Sequence, residues 1–231
     1  MLKKIIVTGG DGRFAKELKK INCKYSFIFR NKSQLNILSI KSLKNNFKKF
    51  KPDCILHLAG LSRPMSIHDK EINKSINLNI IGTSNLVKIC NNYKKKLIFF
   101  STSYVYPGKK GNYKETDALL PWNNYGWSKL GAESAVQMYK NSLIVRACMT
   151  ERPFIHKYAF NNVKSNFIFH DHFAKIFIKV LNKKGVINIG GKPQSIYQFA
   201  KKYNKKVKKT KSKGELPLKM DMNLKKIKKF F

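Results

Sequence analysis

The first fifteen residues constrain the fold more than any other stretch. Lys4–Val7 is apolar and β-branched, as a buried strand requires. Thr8-Gly9-Gly10-Asp11-Gly12-Arg13-Phe14-Ala15 follows, and an amphipathic run continues to Ile21. Strand, glycine-rich turn and helix in that order open a βαβ unit, and such units build parallel sheets with helices on both faces. Gly10 and Gly12 permit a tight turn and close approach of backbone to a diphosphate. The first turn of the helix offers that anion free N–H groups. Ala15 stands where the third small residue of a dinucleotide-binding turn is found. Gly9, Gly10, Gly12, Arg13 and Phe14 are therefore candidate cofactor-binding residues. Taken alone, the motif also fits an ordinary glycine turn.

The alternation continues along the chain. Tyr25–Phe29, Cys54–Leu58, Leu97–Phe100 and Ser142–Ala147 read as further strands, and Gly185–Gly191 as a strand and turn. Helices are expected from Ser39, a cap, to about Phe47, from Lys70 to Tyr93, around Tyr125–Glu133, over Asp171–Leu181 and over Gln194–Tyr203. After the second strand come Arg30, Asn31 and Lys32, with no carboxylate to accept a ribose 2′-hydroxyl. Cations there suit a 2′-phosphate, so NADP is favoured over NAD. Lys is so common in this chain that Arg30 carries more of that argument than Lys32. Leu58, Ala59 and Gly60 leave room for a cofactor at a strand end. Asn79 is either a polar residue buried near the site or an ordinary core or surface Asn.

Leu97–Glu133 holds the chemistry. Its apolar run ends in the hydroxyls of Ser101, Thr102 and Ser103, and a polar loop with Pro107, Gly108 and Gly111 follows. Tyr125 and Lys129 then sit four apart on a helical segment, hence on one face. A nearby cation favours the phenolate and lowers the Tyr pKa. With a strand-end hydroxyl to hold a carbonyl oxygen, the phenol becomes a proton donor and acceptor for alcohol/ketone chemistry. The Tyr/Lys pair alone occurs by chance on many helices.

Thr8-Gly9-Gly10-x-Gly12, Leu58-Ala59-Gly60, Asn79-Ile-Ile-Gly-Thr83, Ser101-Thr102-Ser103-Tyr-Val-Tyr106 and Tyr125-x-x-x-Lys129 occur in the order and spacing of the extended short-chain dehydrogenase/reductases. Within them the chain resembles the sugar-nucleotide epimerases and dehydratases and, most closely, the dTDP-4-dehydrorhamnose reductases. The resemblance covers residues 3–150 well and the remainder loosely. It implies an α/β, Rossmann-type doubly wound parallel sheet with a reduced C-terminal substrate-binding lobe. Residues 1–150 would form the NAD(P)-binding domain with the catalytic residues, 151–203 the reduced lobe, and 204–231 a Lys-rich linker and amphipathic segment. Tyr125 would be the general acid/base. Lys129 would lower its pKa and bind the nicotinamide ribose, and Thr102 would hydrogen-bond the substrate oxygen. The 4,6-dehydratases carry Asp-Glu after that Thr; Ser103 and Tyr104 stand here, which leaves reduction or epimerisation. The substrate would be a nucleotide-activated sugar for surface-polysaccharide synthesis, and the assembly a homodimer. The runner-up reading is a dinucleotide-binding sensor or complex partner with weak catalysis.

Arg146 is read as structural or substrate-facing, and Pro153 as near the nicotinamide. His170 and His172 flank Asp171 but point to different helix faces, which disfavours a metal site. The run Lys205–Lys213 has Val207 as its single apolar residue and reads as a mobile linker. Asn223–Phe231 reads as a short basic amphipathic helix whose stripe of Leu224, Ile227 and Phe230 or Phe231 favours docking on the domain over resting on an anionic membrane surface.

No apolar run approaches the roughly 18 residues of a membrane span. The N-terminal apolar run is too short for a signal peptide. Cys23, Cys54, Cys90 and Cys148 are scattered, as in a reduced, cytoplasmic protein. The net charge is +36, yet only five of 48 Lys and Arg are Arg. Specific nucleic-acid readers lean on the planar Arg fork. Lys, Asn and Ile in excess point instead to an AT-rich coding sequence, and no nucleic-acid motif is present.

Overall fold

The computed structural model describes residues 4–231; residues 1–3, the start of the run read as too short for a signal peptide, lie outside it. Along the chain the strands are β1 (Lys4–Thr8), β2 (Ser26–Arg30), β3 (Cys54–His57), β4 (Lys96–Thr102), β5 (Ser142–Ala147), β6 (Tyr158–Phe160), β7 (Lys164–Ser165), β8 (Gly185–Ile189), β9 (Gln194–Ser195) and β10 (Lys208–Thr210). The helices are α1 (Arg13–Lys19), α2 (Ile40–Phe50), α3 (Ile67–Lys70), α4 (Ile72–Ser75), α5 (Gly82–Asn92), α6 (Asn124–Gln137), α7 (His170–Val180), α8 (Ile196–Tyr203) and α9 (Lys225–Lys228).

Six strands make one parallel sheet in the order β2-β1-β3-β4-β5-β8. Alternate side chains of the central strands face opposite layers. Ile5, Val7, Ile98, Phe100, Leu143 and Val145 pack with Phe14 and Leu18 of α1 and Phe173 and Phe177 of α7. Ile6, Ile55, Leu97, Phe99 and Ile144 pack with Leu43 and Phe47 of α2, Leu86 and Ile89 of α5 and Ala132 and Val136 of α6. Burial of both faces is why these strands read as unbroken apolar runs. The doubly wound sheet expected from the sequence is what the chain forms. Because β2 and β3 flank β1 on opposite sides, a crevice opens at the C-terminal ends of β1 and β3, the place where such sheets take ligands.

The helix expected over Lys70–Tyr93 is broken. α3 and α4 are followed by a π-helical segment, Ile76–Ile81, that runs straight into α5. Within that segment Asn79 is buried and fully used. Its Oδ1 accepts from Leu61 N at 2.7 Å, and its Nδ2 donates to Leu61 O at 2.9 Å and Ser128 Oγ at 2.8 Å. It therefore pins the loop after β3 to α6 rather than facing the crevice.

His57 closes β3 with a hydrogen-bond chain whose direction can be read off. Thr83 Oγ1 donates to Asn79 O at 2.6 Å, so it accepts from His57 Nε2 at 2.9 Å. His57 Nδ1 is then unprotonated and accepts from Thr8 Oγ1 at 2.8 Å, which itself accepts from Ala59 N at 3.1 Å. Burial pushes the His57 pKa down to about 3, with Lys129 adding repulsion. A folded pKa below the unfolded value means that stability is held above about pH 6.5 and lost as pH falls toward 3, by up to roughly 1.4 kcal/mol per pH unit. His57→Gln should therefore lose less stability between pH 7 and pH 5 than the wild type does in urea titrations. An equal loss in both would rule His57 out as the source.

The C-terminal third adds α7 and β8 to the main sheet and forms a smaller lobe with its other segments. β10 pairs in parallel with β6, β7 pairs antiparallel with β9, and Phe154, Val163, Phe169, Ile196, Phe199 and Val207 make its core. The stretch read as a mobile linker is thus partly a strand. Val207 is buried and anchors it, while Lys208 and Lys209 stay in solvent. Composition alone could not show this, because the order comes from backbone pairing. At the end of the chain Ile227 is buried, and Leu224 and Phe230 pack on the α7 side of the sheet. No helix among the described residues is long and apolar enough to cross a membrane.

Candidate functional site

The crevice is a cleft of about 960 Å³, within the roughly 300–1,000 Å³ typical of ligand sites. At one end lies the glycine turn. Gly9 has φ +68°, and a Cβ there would meet Ala59 N at 2.8 Å, so the turn must lie flat against the strand end of β3. Gly12 N donates to Gly9 O at 2.9 Å and leads into α1. Gly9, Gly12, Arg13, Phe14, Leu58, Ala59 and Gly60 all line the cleft. Phe14 is largely a core residue, with its ring 5.0 Å from that of Phe100. Gly10 faces β2 instead: its N–H donates to Arg30 O, and a Cβ would strike Arg30 N at 2.8 Å.

Arg30 is not among the residues lining the cleft. Its guanidinium lies 4.9 Å above the Phe50 ring, and Asn31 and Lys32 reach the cleft in its place. The side chain at a strand end alternates with its neighbours, so the residue that points outward cannot be chosen from composition.

At the other end β4 delivers Thr102 and α6 delivers Tyr125 and Lys129, all three lining the cleft. Asn123 caps α6, its side chain accepting from Gly126 N at 2.8 Å. A Cβ on Gly126 would lie 2.6 Å from Tyr104 O, so only glycine lets the helix start approach the turn that follows Thr102. Tyr125 is half-buried, and its ring packs on Tyr104 at 5.9 Å and His68 at 5.1 Å. The neighbouring Asp69 accepts from Asn124 Nδ2 at 2.7 Å, so α3 braces the first turn of α6. His68 is buried, its Nδ1 shares a proton with Ser75 Oγ at 2.8 Å, and its Nε2 has no partner.

The electrostatics correct one expectation. Burial raises the Tyr125 pKa, opposed by a hydrogen bond with Thr102 and by the charge of Arg63. The Lys129 ammonium lies 4.2 Å from the Phe99 ring centroid, and burial, partly offset by Glu133, pushes its pKa down to about 7. One helical turn of separation gave proximity along the helix but not a solvated cation facing the phenol.

Sequence reading missed the mouth of the cleft. Arg63, in the loop after β3, and Arg13 share Glu151, in the loop after β5. Arg63 was one of only five Arg in a Lys-rich chain, a signal that was available. The lobe supplies the far wall with Phe154, Phe160, Ile196 and Leu216, and Met149 and Thr150 rather than Pro153 come from the β5 loop. Arg146 is structural, paired with Glu133 in the core. Among the described residues no group of His, Cys, Asp or Glu could hold a metal.

Comparison with known proteins agrees with this geometry. Methionine adenosyltransferase 2 subunit beta of Xenopus laevis is 31% identical over 143 residues, 58% of this chain and 42% of that protein. dTDP-D-glucose 4,6-dehydratase of Dictyostelium discoideum is 32% identical over 179 residues, 71% of this chain and 39% of that protein. dTDP-4-dehydrorhamnose reductase of Aggregatibacter actinomycetemcomitans is 27% identical over 154 residues, 64% of this chain and 52% of that protein. The chain thus spans about half the length, or less, of the curated relatives it matches. The crystal structure of dTDP-4-dehydrorhamnose reductase from Bacillus anthracis in complex with NADP superposes with a TM-score of 0.88 at 20% identity, covering 99% of this chain and 92% of that one. At that identity it speaks for the fold. The profile described as RmlD substrate binding domain matches residues 3–150, well over half of the sequence, and the chain belongs to that family.

Proposed function

We propose that this chain is an NAD(P)-dependent reductase acting on the keto group of a nucleotide-activated sugar. The observation that carries the reading is the meeting of Thr102, Tyr125 and Lys129 at one end of a cleft whose other end is the glycine turn. The residues present fit a dinucleotide: a flat glycine turn, small residues at 58–60, and Asn31 and Lys32 at the end of β2. With no carboxylate among residues 30–38, NADP is the favoured form. The nicotinamide, when bound, supplies a hydride to the keto carbon. Tyr125 donates its proton to the keto oxygen, and Thr102 hydrogen-bonds the same oxygen. Burial raises the phenol's pKa and so keeps it protonated, as a donor should be. Lys129, its pKa lowered to about 7 by burial, holds the ribose side.

The likeness to a 4,6-dehydratase does not extend to the chemistry proposed here. Ser103 and Tyr104 follow Thr102, and Asp11 in the glycine turn is the sole carboxylate among the described residues lining the cleft. Elimination across a sugar carbon–carbon bond needs an acid and a base beside Tyr125, and the carboxylate pair that the dehydratases carry after the Thr is replaced here by Ser103 and Tyr104. A second reading, a cofactor-binding partner of another enzyme, is favoured by one observation: several relatives are named as a subunit. Mixing the protein with NADPH or NADH and a panel of 4-keto sugar nucleotides separates these. Stoichiometric cofactor oxidation is the expected result. Interconversion of sugars without net oxidation means an epimerase, and tight cofactor binding without turnover means a partner subunit.

A further inference from the structure

We propose that Arg63 is a specificity-determining residue that takes up a diphosphate group of a ligand in the cleft, and that Glu151 holds its guanidinium until that ligand arrives. The proposal rests on the reading above that the cleft takes nucleotides. Three distant segments meet at the cleft mouth. Arg13 Nη1 donates to Glu151 Oε1 and Oε2 at 3.2 and 3.3 Å, and Arg63 Nη1 donates to Oε1 at 2.9 Å. One carboxylate thus serves two guanidiniums, and a positive charge is left over at the mouth.

A carboxylate and a phosphate present the same fork of oxygens to a guanidinium. Glu151 is therefore an internal stand-in for a ligand anion. The exchange is easy, since the Arg63 and Arg13 side chains are 41% and 46% exposed and Glu151 25%. Ion pairs that open to solvent are worth only about 0–1 kcal/mol. Both arginines line the cleft, Arg13 beside the glycine turn and Arg63 beside Leu61 and Ser62. The charge of Arg63 pulls the pKa of Tyr104 and Tyr125 down, though burial outweighs it in both. Two guanidiniums then bracket the length over which a diphosphate would run. Five Arg in a chain this rich in Lys make the choice of Arg at both positions informative, because Lys would supply charge without the fork.

The diphosphate could be that of the dinucleotide or that of the sugar nucleotide, and two arms distinguish them. NADPH alone and dTDP alone are titrated by calorimetry into wild type, Arg63→Met and Glu151→Gln, with melting temperature confirming that each variant is folded. Arg63→Met should weaken NADPH, dTDP or both by roughly 10–100-fold. Loss confined to NADPH assigns the dinucleotide, and loss confined to dTDP assigns the sugar nucleotide. Glu151→Gln should tighten the same ligand by about two- to fivefold, since the competitor is gone. Both affinities within twofold of wild type in Arg63→Met overturn the proposal, as does weaker binding of that ligand in Glu151→Gln. Wild-type protein that binds neither ligand overturns the nucleotide reading, and this proposal with it.

Discussion

Replacing Tyr125 with Phe is expected to cut turnover of a 4-keto sugar nucleotide by roughly 10²- to 10⁴-fold, while NADPH affinity stays within about twofold. The change removes one oxygen and keeps the ring. The ring contacts with His68 and Tyr104 therefore survive, and so does the packing that holds the start of α6. Thr102 loses a partner but faces the cleft, where solvent can replace it. What is lost is the single proton donor that meets a hydroxyl at the end of β4. Single-turnover hydride transfer, measured beside cofactor binding, reads the two effects separately. Turnover equal to wild type would remove Tyr125 from the reaction. A parallel loss of cofactor affinity would make its role one of binding.

The largest effect on stability is expected at Arg146. It lies on β5, 2% exposed, and its Nε donates to Glu133 Oε1 at 3.1 Å. Its Nη1 donates to Tyr106 Oη at 2.8 Å and Glu115 O at 2.9 Å. Glu133 also accepts from Ser101 Oγ at 2.7 Å. The pair thus ties β5, α6, the end of β4 and the loop that follows it. Removing one partner of a buried pair leaves the other charge uncompensated and costs about 3–5 kcal/mol. Arg146→Met should show that loss in urea unfolding at pH 7. Adding Glu133→Leu should recover part of it, because apolar replacement of both partners is often neutral or better. A loss under about 1 kcal/mol in the single variant would mean that the core rehydrates around Glu133. Ser101 adjoins Thr102, so the single variant should also slow turnover where it remains folded.

The sheet was legible in the sequence for a simple reason. Parallel strands buried on both faces must be continuous apolar runs, and β1, β3, β4 and β5 are such runs. The glycine turn marked the first βαβ unit, and the order of the remaining strands came only with the structure. Of the candidate site, the sequence pointed to the glycine turn, residues 58–60, Thr102 and the Tyr125/Lys129 pair, which lie at strand ends or on α6 and share one cleft. It was not legible where contacts are long-range. Arg63 and Glu151 are 88 residues apart, and nothing local to either announces the other. Arg30 carried more weight than Lys32 in the sequence, yet it lies over Phe50 and Lys32 lines the cleft, because the backbone decides which one faces it. The strands of the lobe are two or three residues long, defined by their partners rather than by any period of their own. The direction of the Tyr125 shift was missed because spacing on a helix says nothing about desolvation.

The π-helical segment has a consequence for insertions and deletions. A wider turn amounts to one extra residue in an otherwise α-helical run. Each α-helical residue turns the chain by about 100°. Removing Ile81 would let the segment relax to a plain α-helix and advance everything before it by one such step relative to α5. Asn79 would swing off Leu61, which the end of β3 holds, and off Ser128 of α6. The loop bearing Arg63 and the brace under Tyr125 would lose their alignment together. Length at this point is thus fixed as tightly as identity: a substitution at Ile81, which is 44% exposed, should pass unnoticed, while its deletion should not.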